Sequence, residues 1–303
     1  NYKHLKSQIM NYNMQIVPYN CVMEKIMDYY NADGEYGKRG YLKEKYRIFN
    51  IKDTNNGAFE FHYHEFDKIV MFISGNVTYI IEGKAYTLQP YDILLVRHGD
   101  IHKPIIDSSV EYERAIIWLD NEYLKNHSLN SCFDTAKEKG LNLLRLPIEK
   151  RNRVFSLLND FTNESKDDFS NSLMEDSLLA QLLILISRAV LSEGNTAQYK
   201  SDKQIDAVLE YINKNLFSAL TVDKIAGELY ISRYYLMHKF KEVTGKTIFE
   251  YIQSKRLLHA ASLLNNGISA KTACFESGYN DYSVFLKAFK KEFGTTPSAY
   301  MKL

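Results

Sequence analysis

Phe240-Lys-Glu-Val-Thr-Gly-Lys-Thr247 and Phe289-Lys-Lys-Glu-Phe-Gly-Thr-Thr296 stand 49 residues apart and repeat one pattern. Internal repeats are sought first because a repeated unit decides the architecture. Upstream of each copy lies a matching stretch. Thr221 to Leu236 reads as a short helix, a turn, and Ser232 as the N-cap of a second helix; Ser269 to Phe285 repeats the plan, with Gly278 in the turn and Asn280 or Asp281 as the cap. Ala226 and Ala273 fall where two steeply crossing helices leave room only for a small side chain. Leu236 with Phe240, and Phe285 with Phe289, put an apolar pair at i, i+4 on the inner face of each second helix. Gly245 and Gly294 fit helix C-terminal caps. Between the copies, Phe249–Leu264 reads as a linking helix. The expectation is an all-α domain over 202–303, with helix-turn-helix units at 222–243 and 270–293 on one rigid connector.

A rigid connector lets two such second helices enter successive major grooves of one duplex, about 34 Å apart. The charge distribution agrees: residues 201–303 hold 14 Lys and Arg against 10 Asp and Glu, whereas the whole chain carries only +1. The expected partner is double-stranded DNA. Base edges fall to the exposed first turns of each second helix: Arg233, Tyr234, Met237 and His238 in the first unit, and Tyr282, Ser283, Leu286 and Lys287 in the second. Arg233 suits a guanine edge, while Met237 and Leu286 can meet only thymine methyls. Thr221, Lys239, Lys241, Lys246, Lys290 and Lys291 are placed for phosphates, which supply affinity without sequence information.

The rest of the chain has other periods. Residues 46–119 are short runs rich in Ile, Val, Tyr and Phe, broken at Asn55-Asn56-Gly57, Ser74-Gly75-Asn76, Glu82-Gly83-Lys84 and Arg97-His98-Gly99-Asp100. That spacing predicts a small antiparallel barrel or sandwich, set at 46–145. Residues 149–192 turn helical, with one stripe at Val154, Leu157, Leu158 and Phe161 and another at Leu178, Leu179, Leu182, Leu183, Ile186 and Val190. The region 146–192 is therefore a helical segment, suited equally to self-association as a homodimer and to packing on the barrel. Residues 193–201 read as an interdomain linker, and 1–45 as an N-terminal arm with a helical segment. The fold class is α+β and multidomain, as a length of 303 residues favours.

Within the barrel, alternation puts His62, His64 and Lys68 on one face, and His102 follows a Gly-Asp-Ile turn. With Trp118, the sole tryptophan, they make a candidate pocket for a polar or anionic effector, a sugar or a carboxylate. Trp118, in a barrel mouth, offers a stacking platform for a sugar ring, with a place in the core as the alternative. Cys21, Cys132 and Cys274 have no paired spacing for zinc or disulfides, which fits a reducing cytoplasm. The longest apolar run, 178–186, is far below the roughly 18–20 residues needed to span a bilayer. No leader or membrane segment is expected. No P-loop, GxSxG or nucleophile–base constellation is present, so no catalytic residue is assigned and the chain is not expected to be an enzyme.

Residues 202–303 resemble the AraC family of transcription activators. The second unit carries the signature: Gly278-Tyr279-Asn280-Asp281, Ser283, Phe285, Phe289-Lys290-Lys291, then Gly294, Thr296-Pro297 and Tyr300, with Tyr251, Arg256 and Ala260 on the linking helix. His238 and Lys287 stand where that family commonly has Arg. The segment Gly57, His62-Tyr-His64, Gly75, then Pro90-Tyr-Asp92 and Gly99-Asp-Ile-His102 resembles the cupin barrel that serves many such regulators as a sensor. The resemblance implies a ligand-responsive regulator, with RNA polymerase as a further candidate partner. It leaves one alternative, a cupin-type metal-dependent enzyme fused to a DNA-binding domain. Lys68 stands where metal-binding cupins carry a Glu, and a cation there opposes a metal, so neither metal nor cofactor is expected.

Overall fold

A computed structural model describes residues 39–40, 42, 44–54, 59–163, 170–192 and 199–301. Among the described residues the N-terminal half holds ten strands: β1 (Arg39–Gly40), β2 (Tyr46–Asp53), β3 (Tyr63–His64), β4 (Asp67–Ser74), β5 (Val77–Ile81), β6 (Lys84–Thr87), β7 (Ile93–Val96), β8 (His102–Ile106), β9 (Tyr112–Leu119) and β10 (Leu143–Leu144). They form a five-stranded sheet in the order β10-β7-β4-β9-β2 and a three-stranded sheet in the order β6-β5-β8, with β1 paired in parallel to β3. The turns fall where the sequence marks them. Glu82 and Gly83 both take positive φ, 48° and 77°, the conformation that a tight two-residue hairpin between twisted strands requires. The expected turn at 55–57, most of the arm at 1–45 and most of the linker at 193–201 lie outside the described residues; of the last, Lys200 forms a bridge with Ala85.

β4 shows why the larger sheet is central. Its run Asp67-Lys-Ile-Val-Met-Phe is buried throughout, because both faces are covered. Val70 and Phe72 point between the sheets toward Val77, Tyr79 and Tyr112. Ile69 and Met71 point outward, onto helices that close the other side. Those helices are α1 (Asn121–Asn126), α2 (Ser131–Glu138), α3 (Ile148–Asn163) and α4 (Ser170–Leu191). Leu179, Leu183, Ile186 and Val190 of α4 pack on this face, so the predicted Leu-rich stripe serves the sensor core. The opposite side of α4 leaves Leu173, Met174, Ile184 and Leu191 exposed.

The C-terminal domain holds α5 (Lys203–Lys214), α6 (Val222–Glu228), α7 (Arg233–Thr244), α8 (Ile248–Asn265), α9 (Ala270–Glu276), α10 (Tyr282–Phe293) and α11 (Pro297–Tyr300). The caps repeat as read. Thr221, Ser232, Ser269 and Asp281 each accept a backbone N–H in the first turn of α6, α7, α9 and α10. Gly245 (φ 72°) and Gly294 (φ 68°) close α7 and α10 in the left-handed conformation. Each unit buries its own cluster, Ile225, Leu236 and Phe240 in one and Cys274, Phe285 and Phe289 in the other, and α8 contributes to both. No described helix is long and apolar enough to cross a membrane.

Candidate functional sites: a paired DNA interface and a histidine–lysine cradle

α8 fixes the two helix-turn-helix units in relation to each other, and Arg256 is its instrument. Its guanidinium donates to the carbonyls of Leu216 (2.8 Å) and Ser218 (2.6 Å), in the loop before α6, and to that of Gly278 (3.0 Å), in the turn of the second unit. Charge-assisted donors in a rigid fork hold three backbone points at once.

The reading faces lie outside this frame. On α7, Arg233, Tyr234, Met237 and His238 are all exposed, Tyr234 to 81%, and the Tyr234 and His238 rings lie near parallel with centroids 6.3 Å apart. On α10, Tyr282, Ser283 and Lys287 are exposed, whereas Leu286 is half-buried. Arg233 Nη1 donates to both carboxylate oxygens of Asp223 at 2.8 Å. An ion pair this exposed contributes little to stability, so the guanidinium can exchange Asp223 for a base edge at small cost. Among the lysines expected at phosphates, Lys241, Lys290 and Lys291 are exposed and Lys239 is paired with Glu242 at 2.9 Å. Lys246 is placed differently: its Nζ donates to Ser254 Oγ (3.0 Å) and sits over the Tyr63 ring, facing the sensor domain. Thr221 uses its hydroxyl as the cap of α6. Two exposed groups escaped the sequence reading. Tyr230, 95% exposed with φ 53° in the turn between α6 and α7, carries no periodic signal, and Val284 in the first turn of α10 is exposed beside Ser283.

In the barrel, the structure brings His62, His64, Lys68 and His102 together. Lys68 Nζ donates to His102 Nε2 at 2.9 Å and lies 3.4 Å from His64 Nε2. The carbonyls of Glu60 and Asp100 lie 2.8 and 2.9 Å from the Nδ1 atoms of His62 and His102. A carbonyl only accepts, so both rings carry their proton on Nδ1 and turn a bare Nε2 inward. His64 Nδ1 is buried with no hydrogen-bond partner among the described residues. Burial, then the Lys68 charge, holds His64 and His102 well below the ordinary imidazole range and brings His62 down to about 4. Burial, then Arg114, brings Lys68 down to about 7. Trp118 is not at a mouth. It is 4% exposed and packs on Phe49 and Phe66, ring centroids 4.7 and 4.6 Å away, with Phe66 stacked in turn on His64. A cleft of about 990 Å³ between the domains is lined by Glu82, Arg97, Lys125, Lys255 and His259, and by none of the cradle residues.

The three imidazole nitrogens could converge on a cation, all lying within 4.8 Å of one another. The cradle already contains one. An amine hydrogen-bonded to two of the three would-be ligands competes for the lone pairs a metal needs, so the donor set does not fit a metal.

A barrel with a polar interior site, joined to a paired helix-turn-helix domain, defines a ligand-sensing, DNA-binding transcription regulator. Residues 49–183 match the family model for the AraC-like ligand binding domain, and residues 225–303 match that for a helix-turn-helix domain. The chain is a regulator of the AraC type. It is 28% identical over 258 residues to the HTH-type transcriptional activator RhaR of Mannheimia succiniciproducens, covering 80% of this chain and 87% of that one. It is 23% identical over 249 residues to RhaR of Escherichia coli, covering 81% and 88%. The solved structure of ToxT from Vibrio cholerae is similar over 86% of this chain and 98% of its own, at 16% identity and a TM-score of 0.35. The curated relatives are named as activators, not enzymes, and the fused-enzyme alternative falls with them.

Proposed function

We propose that this chain activates transcription in the cytoplasm when a small polar effector, a sugar or a carboxylate, binds at His62, His64, Lys68 and His102. The observation that carries the reading is Lys68. A wholly buried amine, with imidazoles as its hydrogen-bond partners and no carboxylate paired with it among the described residues, is an expensive feature for a structural core. An incoming oxygen acceptor supplies what it lacks, and half-buried His62 stands at the entrance. Trp118 reports on the site through Phe66 and His64. Its fluorescence, titrated with a panel of aldoses and small carboxylates, is expected to change saturably with at least one compound. Silence across the panel, in fluorescence and in calorimetry, would overturn the effector reading.

Activation rests on the names of the relatives, and it makes RNA polymerase a partner. The DNA-facing roles assigned to Arg233, Tyr234, Met237, His238, Tyr282, Ser283 and Lys287 for bases, and to the exposed lysines for phosphates, are supported by their exposure on α7 and α10; half-buried Leu286 has the weakest support among the base-facing residues. Arg233→Ala is expected to weaken binding to a selected cognate site by about 1–3 kcal/mol, while its binding to random duplex changes far less. Equal losses on both duplexes, measured at one stated salt, would reassign Arg233 to phosphate. The exposed stripe Leu173, Met174, Ile184 and Leu191 on α4 supports homodimerisation, and the barrel-facing stripe is already used. Ile184→Lys is expected to shift the sedimenting species from dimer to monomer at micromolar concentration; wild type sedimenting as monomer would remove the dimer.

A further inference from the structure

The strand segment at 61–65 has two faces with different occupations. It pairs with the segment at 100–102 through His62 and His102, each donating its backbone N–H to the other's carbonyl (3.1 and 2.9 Å). Side chains alternate along such a ribbon. His62, His64 and His102 therefore point into the cradle, and Phe61, Tyr63 and Ile101 point away from it. What they meet is the DNA-binding domain. Tyr63 and Ile101, 0% and 2% exposed, belong to the same buried cluster as Leu209, Phe240 and Tyr251. The Phe61 ring lies so close over Gly245, the C-cap of α7, that a Cβ there would overlap it. The Tyr63 hydroxyl donates to Glu292 in the last turn of α10. Glu65 accepts the hydroxyl of Tyr300 on α11 at 3.1 Å. One ribbon thus touches the C-terminal ends of both second helices.

We infer that Phe61, Tyr63 and Glu65 are positioning residues for DNA binding: the ribbon that carries the cradle on one face clamps α7 and α10 on the other, and a change in the cradle alters the spacing at which the two helices read DNA. The coupling half of this inference rests on the cradle being the effector site. The clamp itself does not. An effector that moves His62 or His102 must move the shared backbone, since packed interiors transmit small displacements instead of absorbing them. At the far side the polar contacts, Tyr63 to Glu292 and Tyr300 to Glu65, are few and directional, so a shift of the ribbon changes helix placement.

The test uses the full-length chain and duplexes that differ only in the distance between two selected half-sites. Wild type is expected to prefer one spacing. Tyr63→Phe with Tyr300→Phe keeps both rings and removes both hydroxyls, and should reduce that preference by about tenfold or more, since each hydrogen bond lost to a charged acceptor is worth about that much. Glu292→Gln, which still accepts the Tyr63 hydroxyl, should retain the preference, and Glu292→Ala should lose it; a merely structural role would not separate these two. An unchanged spacing preference in the double Phe variant overturns the clamp. For the coupling, Lys68→Met alters the cradle without any ligand. It should move the preferred spacing in the wild-type background and leave the double Phe background unmoved. Equal shifts in both backgrounds, or none in either, overturn the coupling. No ligand enters these measurements, so a failed effector panel would count against the effector reading alone.

Discussion

Lys68→Met is expected to raise the melting temperature of the sensor domain by roughly 5 °C at pH 7 while abolishing every effector response. Two effects oppose each other. Lys68 is buried among His64, His102 and the face of Tyr79, with its nitrogen held near a pKa of about 7. A depression that large in a wholly buried amine corresponds to about 5 kcal/mol of unfavourable burial for the charged form. Against this, methionine leaves His102 Nε2 without its donor, which costs about 1–3 kcal/mol. Desolvation wins, by at least about 2 kcal/mol. The sign with pH follows from proton counting. Between pH 7 and the ordinary lysine value the unfolded chain binds a proton that the folded chain does not, so wild-type stability rises with pH across that window. Methionine has no proton to gain, so its advantage is greatest at and below pH 7 and fades toward pH 10. A variant that melts below wild type at pH 7, or whose difference from wild type is flat with pH, would show that Lys68 is a structural cation instead. The histidines act in the same direction, in a lower pH window. Their lowered values mean that the unfolded chain gains protons first, so stability falls as pH drops from the ordinary imidazole value toward about 4.

The same cluster shows how far the sequence could be read. Alternation along 62–68 put His62, His64 and Lys68 on one side, and the structure brings them together with His102. Parity is a local property, fixed by the backbone. The caps at Ser232, Asp281, Gly245 and Gly294 were legible for the same reason: a cap is decided by one side chain and the next three residues. Trp118 illustrates the limit. Its parity is clear, but in a barrel wall each face meets something, and only the positions of Phe49 and Phe66 decide that this ring is core. The interdomain contacts were beyond reach altogether. Glu82 receives Tyr251 and Lys255 from α8, and Tyr63 reaches Glu292, across separations of 169, 173 and 229 residues. Nothing in the flanking residues of Tyr63 distinguishes a tyrosine that reaches a carboxylate on a distant helix from one that fills a barrel. Lys246 was misplaced toward phosphate for this reason. Its helix-end position suits DNA, and only the docked sensor domain turns it inward.

Gly278→Val is expected to destabilise the DNA-binding domain by about 4 kcal/mol and to reduce specific DNA binding by roughly a thousandfold. Gly278 has φ 80°, and a Cβ there would lie 2.9 Å from Phe217 Cα and 3.0 Å from the Phe217 carbonyl oxygen. Conformation alone accounts for only part of the penalty, about 1–2 kcal/mol for a side chain in the left-handed region and somewhat more when it is β-branched. Gly267, at φ 79° with nothing within 4 Å of its Cβ, isolates that part, and Gly267→Ala should cost about 1 kcal/mol and leave DNA binding intact. The remainder at Gly278 comes from overlap with backbone, which cannot rotate away as a side-chain tip can. The neighbours make this overlap a functional one. Phe217 lies between Leu216 and Ser218, whose carbonyls Arg256 holds together with the carbonyl of Gly278 itself. Pushing the turn off residue 217 therefore pulls apart the three points that fix the second unit relative to the first. Two recognition helices that no longer keep a common frame cannot both enter successive grooves, and the affinity that remains is the phosphate term. Gel shifts on one- and two-half-site duplexes separate the causes. With the single half-site being the one that α10 reads, a loss confined to the two-half-site duplex marks a broken frame, whereas equal loss on both marks a second unit that has unfolded outright. A Gly278→Val protein that melts and binds like Gly267→Ala would mean that the close approach to Phe217 is not what sets the spacing of the pair.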